Sequence, residues 1–470
     1  MEKKDAFVLR HLANVLPEQW WLDSDPLEPE SHPALIGEDG ADLIVIGAGY
    51  SGLWTALLAK ERDPERDVVV LEMHETGAGA SGRNGGFCSM SLTHGFTNGL
   101  NRYPDEIGLI QRLGQENLLE IEQTITRYGI ECDWERTGEL SVAVEPWQVE
   151  ELKEEFELRN GLGDHVEYLD EESIRSRVHS PTYLAALFDP DGTAMVDPAR
   201  LVWGLEKACL QLGVRIFEHT KAEKLEELGE AIRVHTTYGA VTAPRVAIAT
   251  NVAPSLVRQA RKFVIPVYDY VLVTEPLSSE QMASIGWVGR EGISDAGNQF
   301  HYYRLTADNS ILWGGFDTIY KFGGKLHREY EYNAVTYAKL VDHFLRTFPQ
   351  LTGIKFTHAW GGAIDTCSRF SAFWGTSHKG KVSYVLGYTG LGVAATRFGA
   401  NVMLDLLDGI DSERTSLTMV KRKPWPFPPE PLRYFFIRLT QYSIVRADNN
   451  GGRRNLWLKL LDRLGMGFDS

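Results

Sequence analysis

The apolar positions of this chain change period along its length, and each change marks an element. Leu43-Ile44-Val45-Ile46 is an unbroken β-branched run that stops at Gly47-Ala48-Gly49-Tyr50-Ser51-Gly52, the pattern of a buried strand entering a tight turn. Leu53 to Lys60 has helical composition, and Val68-Val69-Val70-Leu71 is a second buried strand that ends on Glu72. Between Pro104 and Tyr128, Ile107, Ile110, Leu113, Leu118 and Ile121 recur at helical spacing and predict an amphipathic helix. Residues 139–144 read as a strand, 147–159 as a charged helix with a solvated face, 198–212 as a helix and 214–217 as a strand. Residues 231–236 and 241–250 predict a hairpin.

The middle of the chain alternates differently. Residues 267–274, 300–306 and 311–315 are rich in aromatic and β-branched side chains and predict three strands, with Asp308-Asn309 as the turn between the last two. A helix follows over 332–348, then the strand-like Thr357-His358-Ala359-Trp360-Gly361-Gly362. Val382 to Leu386 is a further buried strand, which opens into Gly387-Tyr388-Thr389-Gly390-Leu391-Gly392 and a helix to about Leu407.

Length and charge narrow the possibilities. A chain of 470 residues exceeds one ordinary core, so two or three domains are expected. The formal net charge of −16 disfavours a nucleic-acid partner or an anionic membrane for the molecule as a whole. Cys88, Cys132, Cys209 and Cys367 lie far apart, form no metal-ligand cluster and read as reduced structural thiols, so no metal is expected. The basic start at Met1-Glu2-Lys3-Lys4 is followed by an apolar run that Arg10 and His11 cut short of a signal peptide. With no run of about 18 apolar residues, no membrane span is expected, and the expected location is the cytoplasm. Trp20-Trp21 and a Pro/Glu/Asp-rich segment from Asp23 to Asp39 form a lead-in, with the two indoles expected to dock on the domain surface.

The first glycine turn carries chemistry. Gly47 permits the turn, Gly49 leaves room for a pyrophosphate, and Gly52 lets helix and strand pack closely with the helix N-terminus aimed at the phosphates. Glu72 can accept hydrogen bonds from a ribose 2′-OH and would repel a 2′-phosphate, which points to FAD or NAD rather than NADP. After it, Gly77-Ala78-Gly79-Ala80-Ser81-Gly82-Arg83-Asn84-Gly85-Gly86 is too glycine-rich for a regular element and reads as a loop whose backbone N–H groups close over a cofactor.

These residues resemble the D-amino-acid-oxidase superfamily of FAD-dependent oxidoreductases, in the branch similar to γ-glutamylputrescine oxidoreductase. The resemblance implies FAD, held non-covalently. It also implies an α/β FAD-binding domain (Rossmann-like, glutathione-reductase type 2) with a second α+β substrate domain built on a mostly antiparallel sheet. The expected division is a lead-in over 1–40, an FAD-binding domain over 41–134, 181–262 and 355–420, a substrate domain over 135–180 and 263–354, and a basic tail over 421–470. Cofactor-binding positions are then Gly47, Gly49, Tyr50, Ser51, Gly52 and Glu72, the loop Gly82, Arg83, Asn84, Gly85 and Gly86, Thr250 at the end of a strand near the pyrophosphate, and Gly387, Gly390, Leu391 and Gly392 under the flavin ring.

The implied activity is oxidation of a C–N bond of an amine or amino-acid derivative by hydride transfer to flavin, with O2 or another electron acceptor. Members that take amino acids carry a carboxylate-binding arginine where this chain aligns Ile364, next to Asp365. Asp365 suits either a substrate ammonium or an ordinary turn cap. Arg83, Tyr303 and Asp365 are the candidate catalytic residues, and Arg304 is a further candidate; Tyr302 and Tyr303 face opposite sides of one strand, so one of them at most meets the ring. Cys367 is out of register for covalent attachment, and Leu312-Trp313 stands where some oxidases place a lysine for oxygen. From Lys421 onward ten Lys/Arg stand against four Asp/Glu, in two helical stretches after a proline-rich linker. That tail either folds back on an acidic body, the simpler expectation, or docks to a partner or membrane surface.

Overall fold

The computed structural model describes residues 10–23 and 31–467. The basic N-terminal start and residues 24–30 of the Pro/acid segment lie outside the described residues. Two large sheets organise the rest.

The first is six-stranded, in the order Phe373–Ser377, Val382–Leu386, Arg245–Ile248, Leu43–Ile46, Val68–Leu71 and Arg215–Phe217. All its pairings are parallel except the first. The unbroken apolar runs Leu43–Ile46 and Val68–Leu71 follow from this position, because a parallel sheet is covered on both faces. On one face pack the helices Tyr50–Arg62, Ile107–Tyr128, Pro198–Gln211 and Ala395–Asp408. Over the other lies a four-stranded sheet built from Gly37–Gly40, Gly239–Ala243, Ala231–Thr236 and Ala222–Leu228. Residues 241–250, expected as one arm of a hairpin, divide at Pro244. Gly239–Ala243 completes the hairpin, whereas Arg245–Ile248 crosses into the six-stranded sheet.

The second sheet has nine strands and is antiparallel apart from one pairing, Gly292–Asp295 with Glu139–Ala143. Its core is aromatic. Trp287, Tyr303 and Trp313 are fully buried, with Phe344 from the helix Ala334–Thr347 and the neighbouring Phe348. Ala185–Asp189 and Phe356–Cys367, on the far side of the expected boundaries at 181 and 355, both belong to this sheet. The long strand Phe356–Cys367 runs antiparallel to Val264–Thr274 and carries the chain from one large sheet back toward the other.

The tail folds back on the body. Phe427 and Ile437 pack on Ile265, Val267 and Tyr320, and the Gln299 backbone N–H donates to Asp448 at 3.0 Å. Its helices span Leu432–Asp448 and Leu456–Arg463. No helix among the described residues is long and apolar enough to cross a membrane.

Candidate active site and cofactor cradle

A cavity of about 2230 Å3 runs from the glycine turns of the parallel sheet to the face of the antiparallel one. This is more than twice the upper end of an ordinary ligand pocket, so it has room for a dinucleotide and a second molecule. Gly47, Gly49, Tyr50, Ser51 and Glu72 line it together with Thr250 to Pro254 and Tyr388 to Val393, and the hydroxyls of Ser51 and Tyr388 meet at 3.0 Å.

At the first turn, local sterics explain the glycines. Gly47 has φ +107, and a Cβ there would lie 2.5 Å from the Ala249 carbonyl oxygen; one on Gly52 would collide with the Gly47 carbonyl. The helix Tyr50–Arg62 starts directly at the turn, and Ser81 Oγ accepts the Tyr50 N–H at 2.9 Å. Ser81 thus ties the second glycine loop to the first, a role missed in the sequence although its motif was recognised. The Tyr50 hydroxyl donates to the Pro198 carbonyl at 2.8 Å, which ties its ring to the start of the helix Pro198–Gln211. Glu72 accepts the Ala48 N–H at 2.8 Å and the His74 N–H at 2.9 Å, which sets its carboxylate at the strand end beside the turn.

The loop over residues 77–86 is held by its own side chains. Asn84 donates to the Ser81 carbonyl at 2.9 Å and accepts the Gly86 N–H at 2.8 Å, so its amide shapes the loop rather than reaching a ligand. Gly82 and Gly86 are likewise packing positions: a Cβ on Gly82 would meet the Gly77 carbonyl oxygen at 2.7 Å, and one on Gly86 the Arg304 guanidinium at 2.6 Å. Trp21 Nε1 donates to the Asn84 carbonyl and Trp360 Nε1 to the Arg83 carbonyl, each at 2.9 Å. Trp21 therefore docks as expected, and on the loop itself. Arg83 lines the cavity, but it pairs with Glu331 at 2.8 Å and donates to the Ala78 carbonyl at 2.8 Å.

Three expected candidates take other places. Tyr303 is fully buried in the aromatic core, with its hydroxyl 2.6 Å from that of Tyr183. Its neighbour Tyr302 takes the cavity face, as strand alternation requires once Tyr303 points inward. Arg304 is buried and donates to the Val196 carbonyl at 2.7 Å, a structural role. Asp365 is 1% exposed and accepts the N–H groups of Gly387 at 2.6 Å and Thr389 at 3.3 Å. It is the cap of the second glycine turn, not an open ammonium site. Burial raises its carboxyl to about 7, even against the N–H bonds of the turn, which pull it down. The helix after that turn starts at Ala395, three residues beyond Gly392.

Two cavity residues were not singled out in the sequence. His94, at φ +60, lines the cavity with its ring edge-on to Phe300 and Phe370, and enclosure pushes it down to about 4, so it is a neutral imidazole. Asp269 lines the cavity and accepts the Tyr302 hydroxyl at 2.7 Å. An acid amid the apolar strand 267–274 was the available signal.

The cradle fits a dinucleotide. Among the described residues, Thr250 Oγ1 and Asn251 Oδ1 are buried without a hydrogen-bond partner beside the first glycine turn, although both residues line the cavity. Such orphaned polar atoms at a cavity wall await a ligand. A family model described as FAD dependent oxidoreductase matches residues 42–406. The chain belongs to this family.

The enzyme is similar to gamma-glutamylputrescine oxidoreductase of Escherichia coli, at 33% identity over 82% of this chain and 88% of that protein. A probable oxidoreductase, OrdL, of Haemophilus influenzae is 31% identical, with 82% of this chain and 86% of the relative covered. Among solved structures, glycine oxidase from Geobacillus kaustophilus superimposes with a TM-score of 0.68 at 17% identity, over 80% of this chain and 96% of that one. The fold is thus that of the flavoenzymes the sequence resembles, and the enzyme is an FAD-binding oxidoreductase of the type that acts on amines and amino acids.

Proposed function

We propose that the enzyme oxidises a carbon–nitrogen bond of an amine, in preference to a simple α-amino acid, and passes the electrons to O2 with release of H2O2. The pairing of Arg83 with Glu331 carries the amine reading. A guanidinium beside the glycine loop is neutralised there instead of being presented to a substrate carboxylate. Ile364, aligned with the arginine of amino-acid-oxidising members, lines the same cavity as an apolar side chain. By its name, the relative from Escherichia coli acts on gamma-glutamylputrescine; an amine on an alkyl chain is the class extended here to this enzyme.

When bound, FAD supplies a two-electron hydride acceptor. The backbone of Gly47, Gly49, Tyr50, Ser51 and Gly52 would hold its pyrophosphate, Glu72 its ribose, and Thr250 a neighbouring oxygen. The loop Gly82–Gly86, through its backbone and Arg83, and the turn at Gly387, Gly390, Leu391 and Gly392 would enclose the ring. Attachment is non-covalent in this reading, because Cys367 lies fully buried beneath Gly387 and donates its thiol to the Ser371 carbonyl. The remaining work of the chain is to orient the amine and exclude water. The imine product then hydrolyses to an aldehyde or oxo compound.

Anaerobic mixing of the holoenzyme with a panel of amines and α-amino acids tests the reading. Amines are expected to bleach the oxidised flavin spectrum; bleaching by α-amino acids alone would overturn it. Peroxide released in step with amine consumed tests O2, and flavin that stays reduced in air assigns the electrons to another acceptor.

A further inference from the structure

Asp269 lies mid-strand in Val264–Thr274, opposite Gly362 of Phe356–Cys367. On the other side, Tyr302 is paired with Gly314. A Cβ on Gly314 would come within 2.7 Å of the Tyr302 hydroxyl oxygen, and one on Gly85 within 2.8 Å of its ring. The ring is thus clamped between the sheet and the glycine loop, with Phe87 edge-on at 5.9 Å. Its hydroxyl has one use, donation to Asp269 Oδ2 at 2.7 Å. The second oxygen, Oδ1, is buried with no hydrogen-bond donor among the described residues. A carboxylate so placed is half satisfied, at the wall of the cavity and beside the glycine loop.

We propose that Asp269, oriented by Tyr302, is the subsite for the amine nitrogen of the substrate. Asp269 Oδ1 receives an N–H of the entering ammonium, which supplies the missing donor and the opposite charge. One N–H bond of R–CH2–NH3+ then breaks, and the proton passes to the carboxylate to form O–H. The nitrogen keeps the electron pair, and the neutral amine can release hydride from its α carbon to bound FAD. Burial raises the Asp269 carboxyl to about 6, even against the Tyr302 hydroxyl, which pulls the other way. It is therefore a stronger base than an exposed aspartate. The assignment rests on the amine reading above.

The test pairs a binding measurement with a kinetic one on the holoenzyme. tert-Butylammonium carries N–H donors but no α C–H, so it binds without being oxidised. Calorimetry is expected to show at least 10-fold weaker binding to Asp269→Asn than to the wild type. With gamma-glutamylputrescine or butane-1,4-diamine, anaerobic flavin reduction is expected to slow at least 100-fold in Asp269→Asn and about 10-fold in Tyr302→Phe, with FAD content and melting temperature retained. Binding and reduction within threefold of wild type in Asp269→Asn would overturn the subsite while leaving the amine reading intact. A wild type that no amine reduces overturns the reading and the subsite together. Should Asp269→Asn lose FAD, Tyr302→Phe decides: unchanged reduction there sinks the proposal.

Discussion

The carboxylate of Asp365 accepts the backbone N–H of Gly387 at 2.6 Å, from a strand that ends beneath the second glycine turn. Because it is buried, the charged form is disfavoured, and the carboxyl is pushed up to about 7 from an ordinary 3.8. Between those values the folded chain holds a proton that the unfolded chain has lost. Stability from this group is therefore greatest below pH 4 and falls as pH rises toward 7. In denaturant unfolding of the apoprotein, wild type should lose stability relative to Asp365→Asn between pH 4 and 7. The limiting slope for one proton is about 1.4 kcal/mol per pH unit. Parallel curves for the two proteins would show that the carboxyl does not titrate in this window.

Two indoles hold the loop over residues 77–86, and their removal should be felt by the cofactor. Trp21 is 2% exposed and donates to the Asn84 carbonyl; Trp21→Phe keeps an aromatic ring but removes the indole N–H and leaves that acceptor without its donor. The cost of such an orphan is about 1–2 kcal/mol. If the loop is ordered against FAD, Trp21→Phe should raise the FAD dissociation constant roughly 5-fold or more, measured by quenching of flavin fluorescence. An unchanged constant would confine Trp21 to a packing role.

A pair of glycine substitutions separates steric need from mere glycine content. Gly47→Ala places a Cβ 2.5 Å from the Ala249 oxygen at φ +107, and the turn must shift to relieve it. Gly79→Ala meets open space at an ordinary φ of −81. Gly47→Ala is expected to purify without FAD, and Gly79→Ala to retain it at near wild-type affinity. Flavin absorbance of the two purified proteins is sufficient to check this.

The cofactor end of the molecule was legible in the sequence because its demands are local. A turn at φ +107 needs glycine, a strand covered on both faces needs an apolar run, and both leave contiguous marks at Leu43–Gly52 and Val382–Gly392. The substrate side is set by pairings far apart in the chain. Tyr302 reaches Asp269 across 33 residues and packs on Gly85. No period in one strand reports which of Tyr302 and Tyr303 turns inward; that choice is made by Trp287, Trp313 and Phe348 packing against Tyr303. The sequence leaves Asp365, next to Ile364, open between an ammonium site and a turn cap; the contact that decides for the cap comes from Gly387, 22 residues on.

The tail supplies a last prediction, because its packing and its place at the cavity belong together. Arg433, Ile437 and Trp457 line the cavity, while Phe427 and Ile437 are the side chains that seat the tail on Ile265, Val267 and Tyr320. Phe427 also donates its backbone N–H to the Lys262 carbonyl at 2.8 Å. The double substitution Phe427→Ala/Ile437→Ala removes apolar contacts without touching the glycine turns. Each truncation of a partly buried side chain should cost about 1–2 kcal/mol. Loosening should expose the cavity from this side, so iodide should quench the bound flavin more strongly and limited proteolysis should release the tail sooner. FAD content should stay at the wild-type level, since neither side chain belongs to a glycine turn or to the loop over residues 77–86. A tail that seats only on a partner would give the opposite pattern: stability and quenching unchanged in the isolated protein, because the two side chains would have had no partner within it to lose.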